Sequence, residues 1–430
     1  MPGPLDPGFD TLALHAGASP DPATGARITP LHLSASFVFD SSEEAAGLFN
    51  LERSGHVYSR LSNPTTAVFE ERMAALEGGV GAIATASGQA ALWLAIVTIC
   101  GAGGHIVASS QLYGGSHNLL AYTLPRLGIQ TTFVPPGDLD AWRTAIRPET
   151  RLLLGESLSN PGMDVLDIPA ISQIAHAAGL PLLVDATLAT PALQRPIALG
   201  ADLVMHSATK FLCGHGTVVG GVLIDSGRFD WMKSGKFPEL TEPYAGFHDM
   251  VFAEESTVGA FLLRARREGL RDFGACMSPH TAWLLLQGLE TLPLRMARHV
   301  SNAQAIATFL AAQSQVKQVG YPGLPSHDGH DLAQTLLPKG AGAVFSFEIE
   351  GTRAQGQKLI ESLKLFSHLA NVGDARSLVI HPASTTHSRM DDAALRAAGI
   401  GPGTIRLSIG LEDPADLIAD LKVALKAAFK

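Results

Sequence analysis

The residues best suited to chemistry in this sequence lie around Lys210. Residues 201–206 form an apolar stretch typical of a buried strand, and Ser207, Thr209 and Lys210 follow it before a glycine-rich turn that ends at Gly216. A lysine that enters apolar surroundings has a lowered pKa, because burial disfavours its charge, and such an amine can form a Schiff base. The two hydroxyls beside it suit a phosphate group. Taken alone, however, a lysine after a strand is most often a solvated surface residue.

Three other segments place functional groups where predicted strands end. Asp185 closes the apolar stretch 182–185, so its carboxylate is either a partner for a cationic ring nitrogen or an ordinary cap. The small residues 85–89 lead into a helix whose free N–H groups can bind an anion or simply be capped. Tyr113 can stack on a flat ligand or pack in a turn. Since ligands of open α/β sheets bind beyond the carboxyl ends of strands, we expect these groups and Lys210 at one site.

The pattern around these residues predicts a mixed α/β fold. Short apolar strands alternate with helices at 65–76, 90–100 and 168–178, which indicates a mostly parallel sheet covered on both faces. We predict the strands of this sheet at residues 81–85, 105–109, 131–134, 151–155, 181–185, 201–206 and 218–224.

The chain divides into three parts by pattern. Residues 1–63 are irregular, with many prolines and one strand-like stretch at 34–39, and they cannot form a core of their own. We expect this arm to lie across a neighbouring subunit. Residues 64–285 form the large domain. Residues 286–430 form a smaller C-terminal α/β domain. One or two helices at 278–310 cross the boundary between the two domains. The smaller domain then has strands at 343–349, 377–380 and 404–409 and helices at 354–366 and from Pro414 onward.

Composition excludes several classes of protein. The chain has 430 residues, of which 46% are hydrophobic and 17% charged, and this composition excludes a disordered or fibrous chain. A net charge of −9 without basic runs argues against nucleic-acid or anionic-membrane partners. The three cysteines have no short spacing, which favours a reducing cytoplasm. No signal peptide is visible, and the longest apolar run is well short of the ~20 residues that a membrane span needs.

Other motifs do not carry chemistry in this interpretation. His206, His215 and His387 lack the spacing of metal ligands, so we expect no protein-bound metal. Cys213 has no obvious basic neighbour and is interpreted as a small buried side chain. Residues 101–104 lack the spacing and the later acidic residue of a dinucleotide fingerprint, which counts against a nicotinamide oxidoreductase. A non-catalytic scaffold would not need Lys210, Asp185 and Arg406 together.

Over nearly its whole length the sequence resembles the Cys/Met-metabolism (trans-sulfuration) family of enzymes, which depend on pyridoxal 5′-phosphate (PLP) and have fold type I. The resemblance begins at Phe9 and ends at Gly410, and residues 237–244, 284–291 and 381–387 resemble the O-acetylhomoserine sulfhydrylase branch. Where many members have Asn between the aspartate and the threonine, this chain has Ala186. The most specific motif comprises Asp185, Thr187, Ser207, Thr209, Lys210, Gly214 and Gly216.

The resemblance implies a role for each candidate residue. Lys210 would hold PLP covalently, Asp185 would pair with the pyridine nitrogen and Tyr113 would stack on the ring. Asn160 would lie near the ring hydroxyl, and Arg406 and Asn371 would bind the substrate, with Arg406 on its α-carboxylate. The expected phosphate and supporting ligands are Gly88, Gln89, Ser207, Thr209 and Thr187, with Tyr58 and Arg60 reaching the cofactor of a neighbouring subunit.

The resemblance also implies the reaction. It predicts γ-replacement on O-acetyl-L-homoserine by sulfide or methanethiol, which gives homocysteine or methionine and acetate. A γ-lyase of the same family, which would release a 2-oxo acid and ammonia, and an O-succinylhomoserine sulfhydrylase remain alternatives. The expected assembly is a homotetramer built from dimers with shared active sites.

Overall fold

Two sheets organise the computed structural model, which describes residues 7–160, 162–385 and 401–430. The larger sheet has seven strands in the order β1-β7-β6-β5-β4-β2-β3. Strand β7 runs antiparallel to both of its neighbours, and the remaining pairings are parallel. Its strands are β1 (Gly81–Thr85), β2 (His105–Ser109), β3 (Gln130–Val134), β4 (Thr150–Glu156), β5 (Leu182–Asp185), β6 (Leu203–His206) and β7 (Gly221–Asp225).

The second sheet has five strands in the order β10-β11-β12-β9-β8. Strands β10 and β11 are parallel and the other neighbours are antiparallel. Its strands are β8 (Val316–Gly320), β9 (Val344–Ile349), β10 (Ser367–His368), β11 (Leu378–Ile380) and β12 (Thr404–Ser408).

Helices cover the sheets. The capping residues of the helix Pro64–Glu77 explain where it begins and ends. Asn63 caps Pro64–Glu77 by accepting from the Thr65 N–H, and Gly78 ends this helix with φ +79°. The α-helices of at least eight residues are Ser42–Phe49, Pro64–Glu77, Gly88–Ile99, Ile168–Ala177, Pro279–Glu290, Leu292–Ala311, Arg353–Ser362 and Pro414–Ala428. The shorter ones are Phe9–His15, Gly114–Asn118, Leu139–Thr144, Thr190–Leu193, Trp231–Ser234, Pro238–Thr241, Phe252–Glu255, Ala260–Arg264, Arg271–Phe273 and His330–Leu336.

The core lies on both faces of the large sheet. On one face, buried side chains of the sheet pack with the helix Pro64–Glu77 and continue into the second sheet without a break. On the other face, the helix Gly88–Ile99 packs with a group of aromatic rings that includes Phe229, Trp231, Phe237 and Phe261. No helix in the described parts of the chain is long and apolar enough to cross a membrane.

The fold class is confirmed, and the N-terminal prediction needs correction. Residues 34–39 form no strand and contribute only a bridge between Ser36 and Tyr58. The region is also not irregular throughout, because it contains the helices Phe9–His15 and Ser42–Phe49. The first of these packs on its own subunit and buries Ala13 completely. The sequence pattern missed both helices because each is short and its tertiary contacts, not its periodicity, stabilise it.

Candidate active site

A cavity of about 290 Å³ lies where the ends of β4, β5 and β6 meet β12 of the second sheet. Its walls include most of the residues that the sequence analysis selected, although those residues are far apart in the chain. The predicted residues that line it are Gly88, Gln89, Tyr113, Asn160, Asp185, Thr187, Ser207, Thr209, Lys210, Asn371 and Arg406.

Lys210 enters this cavity from the turn that follows β6. Its Nζ donates to Oδ1 of Asn371 at 2.5 Å. Burial lowers the pKa of Lys210, and the positive charge of Arg406 lowers it further. A lowered pKa increases the fraction of neutral amine, which is the form that attacks a carbonyl carbon.

Two carboxylates stand side by side at the ends of β4 and β5, where Glu156 is buried and Asp185 is partly buried. The strands pair Glu156 with Asp185 directly. Oε1 of Glu156 accepts from the Tyr113 N–H at 2.5 Å. Burial raises the pKa of Glu156 well above its usual range, and the charge of Asp185 raises it further. Burial also raises the pKa of Asp185. Two carboxylates this close repel each other. A cation at the cavity side of the pair would offset this repulsion and favour their ionised forms.

Thr187 orients Asp185 and joins it to the turn that carries Lys210. Oδ1 of Asp185 accepts from the Thr187 N–H at 2.9 Å and from its hydroxyl at 2.5 Å. The same hydroxyl oxygen accepts from the Ser207 N–H at 2.8 Å. Ala186, which stands where an amide is common, is completely buried in the core. The orientation of Asp185 therefore rests on Thr187, not on residue 186.

An anion site lies at the N-terminus of the helix Gly88–Ile99. The Ser87 hydroxyl caps this helix by accepting from the Ala90 N–H at 3.1 Å. A Cβ at position 88 would approach the Ser207 Cβ to 2.7 Å, so only glycine lets the end of β6 come this close. The free N–H groups of the first turn and the Ser207 hydroxyl then face the same cavity, an arrangement that suits a phosphate. The Thr209 hydroxyl also bonds the main chain of Gly220.

Arg406 brings the second sheet into the site. Its guanidinium donates to Oδ1 of Asn160 at 3.2 Å and to the carbonyl of Asn371 at 3.4 Å. Burial lowers its pKa, although Tyr113 opposes this effect. A planar fork of donors held in this way can bind a carboxylate through two parallel hydrogen bonds.

Tyr58 and Arg60 lie outside this cavity. The Arg60 guanidinium donates to the carbonyl of Arg271 and lies 5.4 Å from the centre of the Tyr58 ring. The Tyr58 side chain is half-exposed, and several apolar residues of the arm, such as Leu33 and Val38, are exposed as well. A role for the pair in a neighbouring subunit stays a prediction.

Several lining residues were not selected from the sequence as functional. Glu156 is the most important, and the signal for it was available, since it is a carboxylate at the end of an apolar strand next to the strand of Asp185. The others are small or apolar and offer no comparable signal, because their place in the wall depends on the tertiary fold. They are Ser87, Ser116, Leu158, Leu188, Met205, Val219, Ala370 and Val372.

The remaining histidines and Cys213 take part in local structure. His206 and Glu77 form a completely buried pair at 2.6 Å, and the His215 ring donates to the Cys213 carbonyl at 2.6 Å. Cys213 is buried beside Thr217. His387 lies outside the described residues. Within those residues no group of three or more His, Cys, Asp or Glu side chains is placed to hold a metal ion.

The donor set of the cavity fits PLP. The cofactor needs an amine for its aldehyde, an anionic acceptor for its ring nitrogen and donors for its phosphate. Lys210 supplies the amine, and Asp185, which Thr187 orients, supplies the carboxylate. The turn at Gly88, which a Cβ would fill, supplies the donors together with Ser207.

Comparison with known proteins gives the same result. The family model for Cys/Met metabolism PLP-dependent enzymes matches residues 10–426. The chain is similar to two O-acetyl-L-homoserine sulfhydrylases. It is 49% identical to that of Leptospira meyeri, over an alignment that covers 97% of this chain and 96% of the relative. It is 48% identical to that of Corynebacterium glutamicum, over 96% of each chain. A crystal structure of a putative O-acetylhomoserine (thiol)-lyase from Campylobacter jejuni, with N′-pyridoxyl-lysine-5′-monophosphate, superposes with a TM-score of 0.94 and 38% identity, covering 97% of this chain and 99% of that one. The chain belongs to the Cys/Met metabolism PLP-dependent enzyme family.

Proposed function

We propose that the protein catalyses γ-replacement on O-acetyl-L-homoserine. Acetate first leaves Cγ, and sulfide or methanethiol then forms a bond to the same carbon, so the products are L-homocysteine or L-methionine and acetate. The observation that carries this proposal is the meeting of Lys210, Asp185 and Arg406 in one cavity, in a chain that matches named O-acetylhomoserine sulfhydrylases over almost its full length.

Lys210 has two tasks in this proposal. Its amine first binds PLP and then, once the substrate amine has displaced it, accepts the proton from Cα and returns it at the end. The low pKa that burial and Arg406 impose keeps this amine able to take a proton. PLP, when bound, supplies an electron sink for the charge that proton removal leaves on the substrate. In this proposal Tyr113, which lines the same cavity, helps to move the second proton from Cβ.

The other residues hold cofactor and substrate. Asp185, oriented by Thr187, pairs with the ring nitrogen, and Tyr113 stacks on the ring. Arg406 binds the α-carboxylate of the substrate, with Asn371 and Asn160 fixing its guanidinium. The phosphate ligands in this proposal are Gly88, Gln89, Ser207 and Thr209.

Assembly and location are part of the proposal. We expect a homotetramer of dimers, in which residues 1–63 extend toward the neighbour and deliver Tyr58 and Arg60 to its cofactor. Residues 64–285 then form the PLP-binding domain and residues 286–430 the smaller domain. All three cysteines carry free thiols, which suits the cytoplasm.

Product analysis tests the reaction. Purified protein is incubated with O-acetyl-, O-succinyl- or O-phospho-L-homoserine, each with and without sulfide, and with Lys210→Ala protein as the control. We expect homocysteine and acetate from the acetyl ester only when sulfide is present, with little 2-oxobutanoate. A γ-replacement site must hold the unsaturated product of acetate loss until the thiol arrives, and it must keep water from releasing that product as a 2-oxo acid and ammonia. Mainly 2-oxobutanoate and ammonia at saturating sulfide would identify a γ-lyase, and turnover of only the succinyl ester would correct the substrate.

A further inference from the structure

Three buried polar residues form a stripe along the helix Leu292–Ala311. Arg295, His299 and Asn302 follow each other at spacings of four and three, so they share one face of the helix. Arg295 is 6% exposed, and the other two are completely buried. Polar groups are buried at such a cost only when they form hydrogen bonds, and the partners of these three are informative.

Arg295 holds the turn that contains Lys210. Its guanidinium donates to the carbonyl of Phe211 at 2.8 Å, to that of Leu212 at 3.4 Å and to that of Gly288 at 2.6 Å. Gly214, with φ +73°, leaves the room that the guanidinium occupies. Because Phe211 and Leu212 directly follow Lys210, these bonds fix the main chain from which the catalytic amine projects.

His299 and Asn302 hold the end of the strand that carries Arg406. The Nδ1–H of His299 donates to the Ile409 carbonyl at 2.7 Å, and burial lowers its pKa to about 4, so the ring is neutral near pH 7. Asn302 donates to the carbonyls of Gly410 at 3.0 Å and Glu412 at 2.8 Å.

The two groups of contacts meet at Phe211. The His299 ring packs edge-on against the Phe211 ring with 5.1 Å between centres, while Arg295 binds the Phe211 carbonyl. The stripe therefore contacts the lysine turn of the large sheet and the end of β12 of the second sheet at once. Ala375 also links these regions, because its N–H donates to the Gly214 carbonyl at 2.8 Å and its carbonyl accepts from the Leu411 N–H at 2.8 Å.

We propose that Arg295, His299 and Asn302 are positioning residues that set the separation between Lys210 and Arg406. The substrate Cα carries both the carboxylate that Arg406 binds and the proton that Lys210 removes, so these two side chains must stand at one fixed separation. This inference rests on the proposed function for the roles of Lys210 and Arg406. The stripe touches neither substrate nor cofactor and acts through main-chain carbonyls.

The test combines three variants with a matched control. Arg295→Met removes the donors, His299→Phe keeps a ring without the donor, and His299→Asn restores an N–H near the position of Nδ1. Arg72→Met is the control, because Arg72 is equally buried and binds a main-chain carbonyl, that of Ala16, away from the cavity. Hydrogen exchange of residues 207–214 and 404–412, the dissociation constant of PLP, and KM and kcat for O-acetylhomoserine are measured for each.

For Arg295→Met and His299→Phe we expect exchange at least tenfold faster in both segments, a PLP dissociation constant raised at least tenfold, and a higher KM together with a lower kcat. His299→Asn should stay within threefold of the wild type, and Arg72→Met should leave all these values unchanged even if it lowers the melting temperature. If Arg295→Met does not fold, Arg295→Lys, which keeps the charge and fewer donors, is expected to show the same changes at three- to tenfold.

Two results would overturn the proposal. The first is hydrogen exchange and PLP affinity that stay within twofold of the wild type in the Arg295 variants and in His299→Phe. The second is faster exchange and weaker PLP binding in Arg72→Met as well, which would make these changes a general effect of destabilisation. Hydrogen exchange and PLP affinity do not depend on turnover. If the wild-type protein binds PLP but forms no homocysteine, the proposed reaction fails while these two measurements still decide the role of the stripe.

Discussion

The Thr187 hydroxyl is the smallest group on which the site geometry depends. It donates to Asp185 and accepts from the Ser207 N–H, so it joins the end of β5 to the turn that carries Ser207 and Lys210. Thr187→Val leaves the Ser207 N–H unpaired and leaves Asp185 Oδ1 with only the main-chain N–H of residue 187, which costs about 1–3 kcal/mol. We expect a PLP dissociation constant raised at least fivefold, measured by visible absorbance. Thr187→Ser keeps the hydroxyl and should stay within threefold of the wild type; equal loss in both variants would contradict the assignment.

A substitution at Gly88 tests the anion site, because there is no room for a larger side chain at this position. A Cβ there would stand 2.7 Å from the Ser207 Cβ and 2.9 Å from its Cα, so the helix N-terminus and the turn must move apart. We expect Gly88→Ala to weaken PLP binding at least tenfold in an equilibrium titration. Gly137→Ala is the matched control, because a Cβ at that position meets nothing within 4 Å. Unchanged binding in Gly88→Ala would remove this turn from the phosphate site.

At the scale of elements, the buried His299 makes the stability of the long helix Leu292–Ala311 depend on pH. Its pKa is about 4 in the folded protein and about 6.5 when unfolded, with Arg295 lowering and Asp374 raising the folded value. Between these pH values only the unfolded state binds the proton. The contribution of His299 to the free energy of unfolding therefore falls as the pH falls from 6.5 to 4. The total loss over this range is about 3 kcal/mol.

His299→Asn removes this titration. We therefore expect the stability of the wild type relative to His299→Asn to be greatest above pH 7 and to shrink as the pH falls to about 4. Denaturant unfolding at a series of pH values, at one protein concentration, measures the difference. A difference that is independent of pH would mean that His299 is not held neutral in the fold.

The elements show what the sequence pattern could and could not predict. Strands such as Gly81–Thr85 and His105–Ser109 were predicted with their observed bounds, because apolar runs between glycine-rich turns are a local signal. The antiparallel direction of β7 and the strand Val316–Gly320 were missed, since pairing partners decide them. The bond from Lys210 to Asn371 spans 161 positions in the chain, and no local periodicity reports such a contact.

At the scale of the whole molecule, the position of Tyr58 and Arg60 predicts that active sites are shared. Both residues lie outside the cavity of their own subunit, and the arm that carries them has exposed apolar side chains. Mixing inactive Arg60→Ala protein with inactive Lys210→Ala protein should restore activity, because a mixed dimer contains one site with both wild-type groups. No recovery, once subunit exchange has been demonstrated by mass spectrometry, would argue that each subunit works alone.

All the other proposals depend on the attachment of PLP to Lys210 in the cavity between the two sheets. Its most direct measurement is borohydride reduction of the PLP-loaded protein, followed by peptide mapping with mass spectrometry. We predict that the pyridoxyl mass is found on the peptide that contains Lys210, and that Lys210→Arg protein, which keeps the charge but cannot form the covalent bond, carries no label. Label on a different lysine, or a loaded protein that borohydride leaves unlabelled, would contradict the account.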